Sequence, residues 1–438
     1  MILDRPLTAK ERAKSQRNMY SFNAVNGLSY MCLGETVIIL LAVKTGSPDA
    51  VVAILGAMIY FGFLLLPLGK TVTARIGAAR SQASFWVARN IAALLVASAP
   101  VWYVLGAPGA SVSAMILGAF LFYGFRAAGV VMSQPLVGDI STEDERARVI
   151  ATNGGLFYAF CFIALAVICW IMRISDSIWT LSCIIVVGAV LGVLSSRFIS
   201  RIDETSAIME SARKPLRAAM AEALETPALR RLLLCGFAIN LAVIMVMPIS
   251  VLVVKNGYGM SDSQTLVFTL MQFATSAAMS FAVGKATEKI GPRKAMIVAF
   301  IVLLCLMTLW VISPFSGAWV TTCCTVVFLL MGTCRVSLDN AMTHYFLQTV
   351  KPGVRVAASI LLNTITGVFA GVAGMALSGG LLSFLQRDSG NSDVAIFNTY
   401  RTYFLVAFAL LAPGIAFILR LEPLPMEKRR VKRTWWNF

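Results

Sequence analysis

The sequence predicts an all-α membrane protein, with twelve transmembrane helices in two pseudo-symmetric six-helix bundles and both termini cytoplasmic. Three observations predict it. Of the 438 residues, 58% are hydrophobic and only 13% charged, and the mean hydropathy of +0.80 lies far above that of soluble domains. The apolar residues gather into runs that each approach the roughly 20 residues needed to cross a bilayer. One long polar stretch, residues 197–231, parts six such runs from six.

The runs lie near 19–43, 49–68, 83–105, 111–133, 150–172 and 177–196, then 232–254, 265–283, 295–313, 318–342, 356–385 and 399–419. They are continuous and do not alternate in ten-residue segments, which excludes a β-barrel, the other architecture that lipid tolerates. The first run is too long for a signal-peptide core and no small-residue cleavage site follows it, so it is expected to remain as the first span. The chain accordingly divides into a cytoplasmic segment 1–18, an N-terminal bundle 19–196, a linker 197–231, a C-terminal bundle 232–419 and a basic tail 420–438. Pro215 and Pro227 each suit a helix start, with an amphipathic segment at 216–224 between them. The nine cysteines all fall in apolar runs without a C-x-x-C pair, and are expected to be small membrane-buried side chains, not disulfides or metal ligands.

With the N-terminus inside, 29 of the 37 Lys and Arg residues fall on the cytoplasmic side and 5 on the outer side. This is the positive-inside bias that sets orientation. It also accounts for the net charge of +16. No nucleic-acid partner need be invoked, and the basic tail with Trp435 and Trp436 suits anionic lipid headgroups.

The two halves carry matching fragments. After the second run come Gly69, Arg75 and Gly77, and after the eighth come Gly284, Glu288, Lys289, Gly291 and Arg293. Both are short basic turns bracketed by glycine, the residue that permits a tight reversal between helices. Arg126 precedes Arg146 by twenty residues, and Arg335 precedes Arg355 by the same interval; Asp139 lies seven residues before Arg146. The second turn resembles the G-x-x-x-D-R-x-G-R-[RK] loop of the major facilitator superfamily, with Glu288 at its acidic position and Lys289 at its basic one. The first turn departs from it, with Ala74 where the acid belongs. The stretch from Asp139 to Arg146 is similar to the D-x-x-x-x-x-x-R segment between spans four and five of that superfamily. Together with the span count and central break, these fragments cover the whole chain.

The resemblance implies a secondary transporter whose spans one, four, seven and ten, with two, five, eight and eleven, face a central cavity. It gives gating roles to Arg75, Gly77, Asp139, Arg146, Gly284, Glu288, Lys289, Gly291 and Arg293. Ionisable side chains inside a span cost about 2.5–3.5 kcal/mol each near the helix centre, so every one needs a reason. Counted from the predicted cytoplasmic ends, Asn23, Asn26, Arg126, Asn240, Arg335 and Asn363 share a layer roughly 6–14 Å deep. All lie on cavity-facing spans of the superfamily fold and are the candidate substrate-binding residues. Paired guanidiniums suit a carboxylate or phosphate through bidentate, charge-assisted hydrogen bonds. The alternative is that Arg335 pairs with Asp339 one turn on. Glu35 and Asp339 are the candidate proton-coupling residues, because burial raises a carboxyl pKa toward the working range. Arg89, on a span that does not face the cavity, is expected to be structural, and the lone His344 to cap a helix or meet water.

A drug exporter would carry a G-x-x-x-G-P-x-x-G-G run in span five and a sugar porter P-E-S-P-R after span six; both are absent. The expected function is therefore proton-coupled or exchange transport of a small polar, in the sharper reading anionic, organic solute, by a monomer of a bacterial inner membrane. Efflux of amphipathic drugs or lipids stands second. A membrane enzyme or sensor ranks last, since nothing suggests a nucleophile–base pair, a metal cluster, a cofactor site or an output domain.

Overall fold

The computed structural model describes residues 1–387 and 392–424, apart from the side chains of Glu35, Asp49, Ala50, Ala53, Asp262 and Ser263. Most of the basic tail thus lies outside the described residues. Within them, twelve helices are long and apolar enough to cross a membrane: Ala9–Lys44, Ile54–Ile76, Ala78–Val104, Pro108–Ile140, Arg146–Ile174 and Ile178–Ile199, then Pro227–Gly257, Gln264–Ile290, Pro292–Ile312, Trp319–Thr349, Pro352–Arg387 and Asp393–Leu419. These are spans one to twelve below. The chain is an all-α integral membrane protein.

Several helices outrun their apolar runs. The first begins at Ala9, ten residues before the predicted span, because Thr8 and Glu11 form a reciprocal capping box: the Glu11 backbone N–H donates to Thr8 Oγ1 (3.4 Å) and the Thr8 N–H to Glu11 Oε2 (2.8 Å). Hydropathy marks the part of a helix that suits lipid, whereas caps mark where the helix starts. The first span is also broken, with one stretch ending at Cys32 and the next starting at Glu35, after Gly34 at φ −64° and ψ 158°.

The chain forms two compact units. The first comprises residues 1–223 and 351–360, the second 224–350 and 361–438. The boundary near 223 falls inside the predicted linker, but the opening of the eleventh span belongs to the first unit, a division that linear sequence does not suggest.

In the first unit, span one packs on five and six, span three on four and six, and span two on four. Span seven packs on eleven, nine on ten and twelve, and eight on ten in the second. The same pairing recurs under a shift of six spans, which is the internal repeat expressed in packing. The repeat extends to backbone angles, as Gly77 and Gly291 end spans two and eight at φ +86°, a conformation that favours glycine. The first core is built on Leu33, Leu41, Val96, Met115, Leu181 and Ile185. The second unit buries Phe300, Trp310, Phe328 and Phe404, and Trp310 Nε1 donates to Ser250 Oγ at 2.9 Å. Cys183 and Cys305 lie within spans six and nine and face outward from them; the other cysteines are buried or half-buried.

Spans two and four approach so closely that a Cβ on Gly62 would lie 2.6 Å from the Tyr123 carbonyl carbon, and one on Gly69 would strike the Ala128 carbonyl. Gly109, by contrast, faces open space. Gly69→Ala is expected to destabilise the purified protein by about 1–3 kcal/mol through overpacking, while Gly109→Ala leaves the thermal midpoint unchanged. Equal midpoints for the two variants would show that the helices do not meet there.

Candidate functional site

In the first unit, polar side chains from spans one, three, four and five converge. Arg126 lies fourteen residues before Ile140, the end of span four, and in the second unit Arg335 lies fourteen before Thr349, the end of span ten. At 1.5 Å per residue Arg335 is about 21 Å from its helix end, further than the predicted layer because that helix runs on past its apolar run, whereas span four is broken after Val130, four residues beyond Arg126.

Arg126 is half-buried, with its Cζ 5.3 Å from the centre of the Tyr30 ring, a cation–π contact between spans four and one. Tyr30 in turn meets Phe157 of span five, ring centres 5.4 Å apart. Among the described residues, the Arg126 guanidinium has no hydrogen bond and no acidic partner.

Asn26 is buried on span one, one turn before Tyr30, and its Oδ1 accepts from Trp86 Nε1 (2.9 Å) and from Arg89 Nη2 (3.2 Å). Asn23 Nδ2 donates to Asn153 Oδ1 at 3.0 Å and to the Met19 carbonyl at 2.9 Å, tying span one to span five. Arg89, expected to be a structural residue near the inner face, is completely buried in the bundle. Its Cζ lies 4.6 Å from the Trp86 ring centre and 5.2 Å from that of Phe122, and its Nε and Nη1 have no hydrogen-bond partner among the described residues.

The second unit treats its arginine differently. Arg335 Nε donates to Asp339 Oδ2 at 2.9 Å, four residues on, and both side chains are 37% exposed. The pair is neutral overall yet open to its surroundings. Asn240 Nδ2 donates to the Gly236 carbonyl of its own helix (2.9 Å), and Asn363 directly precedes a π-helical stretch, Thr364–Phe369. Such wider turns recur at functional sites. Glu35 holds the first position of the stretch after the break in span one; its side chain is outside the described residues. His344 is buried and not at the surface.

The predicted gating residues gather at the linker end of each unit. In the second, Gly284 lies within span eight, Glu288 and Lys289 occupy its last turn, and Arg293 Nη2 donates to the Leu419 carbonyl at 2.6 Å. In the first, Arg75 is exposed in the last turn of span two, and Ala74 offers only its carbonyl, which accepts from Arg213 Nε at 3.2 Å. The missing acid is supplied from the linker. Glu204 is buried, with Oε2 accepting from the Ala78 N–H (2.8 Å) and Oε1 from the Ala79 N–H (3.1 Å), the unsatisfied donors that begin span three. The next residue, Thr205, donates its N–H and Oγ1 to Asp139 Oδ2, both at 2.7 Å. Arg355, from the stretch 351–360, interacts electrostatically with Asp139 and with Arg146. A two-residue parallel pairing of Ile2–Leu3 with Glu204–Thr205, and ion pairs from the Met1 amine and Lys14 to Asp203 (each 3.0 Å), fasten the same segment. Sequence reading missed Glu204 and Trp86, since neither belongs to a motif. The one available signal was the acid absent from the first turn.

The chain belongs to the Major Facilitator Superfamily, whose family model matches residues 19–375 and again 232–435. It is a membrane transporter by family, not an enzyme. Among solved structures it is similar to a bacterial homologue of the iron transporter ferroportin in an outward-facing state, with TM-score 0.69 and 12% identity over 93% of this chain and 98% of that one. It is also similar to the proton:xylose symporter XylE bound to 6-bromo-6-deoxy-D-glucose, with TM-score 0.68 and 10% identity over 97% and 100%. At such identities the likeness is one of fold. No curated protein matches the chain in sequence.

Burial pushes the Glu204 carboxyl up to about 7, with the nearby Asp139 adding to the shift and the Ala78 and Ala79 N–H groups opposing it. Because this value lies above the ordinary 4.5, the contribution of Glu204 to stability is full below about 4.5 and is lost as pH rises through about 7. The loss is on the order of 3 kcal/mol. Glu204→Gln, which cannot ionise, is expected to flatten the fall of the thermal midpoint between pH 5 and pH 8. An unchanged pH profile in that variant would remove Glu204 from the balance.

Proposed function

We propose that this protein is a secondary active transporter that moves a small organic anion by alternating access, driven by a proton gradient or by exchange. The observation that carries the reading is Arg126, a guanidinium well inside a membrane span that has no acidic partner among the described residues. A charge in that position is costly unless an anion answers it. A carboxylate or phosphate would do so through charge-assisted hydrogen bonds from the planar guanidinium, with Tyr30 holding its face.

In this scheme Arg126 and Asn26 contact the solute in the first half, with Asn23 holding span five in place. Arg335, Asn240 and Asn363 serve in the second half. Arg335 is held by Asp339 until the solute's charge competes for it, and the carboxylate so released becomes able to take up a proton. Glu35, at a helix start within the first span, is the other proton-coupling residue. Asp139, Arg146, Arg355 and the two glycine turns control opening on the linker side. The excess of Lys and Arg on that side supports a cytoplasmic location for both termini, as in a bacterial inner membrane.

Uptake of radiolabelled lactate, succinate and glycerol phosphate into proteoliposomes, with and without an imposed pH gradient, tests the reading. Arg126→Ala is expected to lower uptake about 10- to 100-fold, the worth of one charge-assisted hydrogen bond. Glu35→Gln is expected to retain exchange and lose gradient-driven accumulation. Unimpaired uptake by Arg126→Ala would refute the anion site, and accumulation preserved in Glu35→Gln would take that residue out of the coupling scheme.

A further inference from the structure

The buried arginine of span three presents a separate problem. Arg89 is 0% exposed, its Nε and Nη1 have no partner among the described residues, and the groups that receive its Nη2 are both neutral: Asn26 Oδ1 at 3.2 Å and Ser29 Oγ at 3.5 Å. The Trp86 and Phe122 rings cover its faces, and Arg126 is close enough to repel it electrostatically. No carboxylate answers it among the described residues. A bundle that served only to pack would gain from an apolar residue here.

What Arg89 does is visible in Asn26. Both neighbours of the Asn26 amide oxygen, the Trp86 indole and the Arg89 guanidinium, can only donate. The amide therefore cannot flip, and its oxygen must face them. Its Nδ2 is left with no acceptor among the described residues, yet it keeps some accessible surface. The amide group thus offers two N–H donors and no free acceptor.

We propose that Arg89 is a positioning and specificity-determining residue: together with Trp86 it locks Asn26, one turn from the Tyr30 ring that meets Arg126, as a pure hydrogen-bond donor, so that the first half of the protein accepts a carboxylate or phosphate oxygen and rejects cations and donor-only groups. The proposal rests on the reading of Arg126 as a solute-binding residue and adds to it the means of selection. The charge of Arg89 biases the surroundings toward an anion without touching it, and the orientation of Asn26 turns that bias into a directional contact.

Asn26→Asp separates the two ideas. The aspartate keeps an acceptor toward Trp86 and Arg89 and supplies the missing counter-charge, but it removes the two donors. The full-length protein in detergent is melted in sodium chloride, acetate, succinate and phosphate at equal ionic strength. In chloride the Asn26→Asp midpoint is expected to rise by about 2–4 °C, and this gain to vanish in an Arg89→Gln background. The wild type is expected to be stabilised by at least one oxyanion, and Asn26→Asp to lose that response with Arg126 still in place. An Asn26→Asp midpoint at or below wild type in chloride, or a gain that survives Arg89→Gln, would overturn the role of Arg89. A stabilised variant that still responds to oxyanions would leave Arg89 merely structural. Absence of any oxyanion response in the wild type, or a response that survives Arg126→Gln, would instead overturn the anion reading underneath.

Discussion

A charge held among apolar helices has to be answered by something, and the interior of this protein is organised around three arginines answered in three ways. Arg335 is answered by a carboxylate on its own helix, Asp339, one turn away. Arg89 is answered by an amide, a hydroxyl and two aromatic faces, all from its own unit. Arg126 is answered, among the described residues, by the face of Tyr30. That graded series is a physical asymmetry between the halves of an otherwise repeated fold. It is the basis for proposing that the electrostatics of the first half are completed from outside the chain.

The linker end shows how the repeat is kept while its chemistry diverges. Gly77 and Gly291 make the same turn with the same φ, so both halves reverse direction alike. The donors at the start of span three still require an acceptor. Glu204, 126 residues away from Ala78, supplies it. The consequence is coupling: the segment that caps span three also binds Asp139 through Thr205, and Asp139 interacts with Arg355 of the eleventh span. A linker that would otherwise only connect two halves is thereby made part of the machinery at that end.

Much of this was legible in the sequence, for identifiable reasons. Twelve spans, the central break and the glycine turns follow from long apolar runs and from backbone angles that glycine accommodates. Arg126, Asn26 and Arg335 stood out because polar groups within a span are expensive, and the Arg335–Asp339 pair could be read from i, i+4 spacing. The partners of Arg89 were not legible because sequence gives the position of a residue along a helix but not the direction it faces once its neighbours pack around it. Glu204 and Trp86 stayed hidden because their partners are distant in the chain, Asn26 being 60 residues from Trp86. The assignment of residues 351–360 to the first unit is likewise a product of packing that no periodicity reports.

The central claim is that Arg126 is an anion site awaiting its ligand, whereas Arg335 is already neutralised. Crystals of the protein soaked in selenate and measured at the selenium edge test it most directly. The account predicts an anomalous peak within hydrogen-bonding distance of the Arg126 guanidinium, on the side of the Asn26 amide group. A peak at Arg335 with none at Arg126, or an Arg126 guanidinium found bonded to a protein carboxylate, would contradict it.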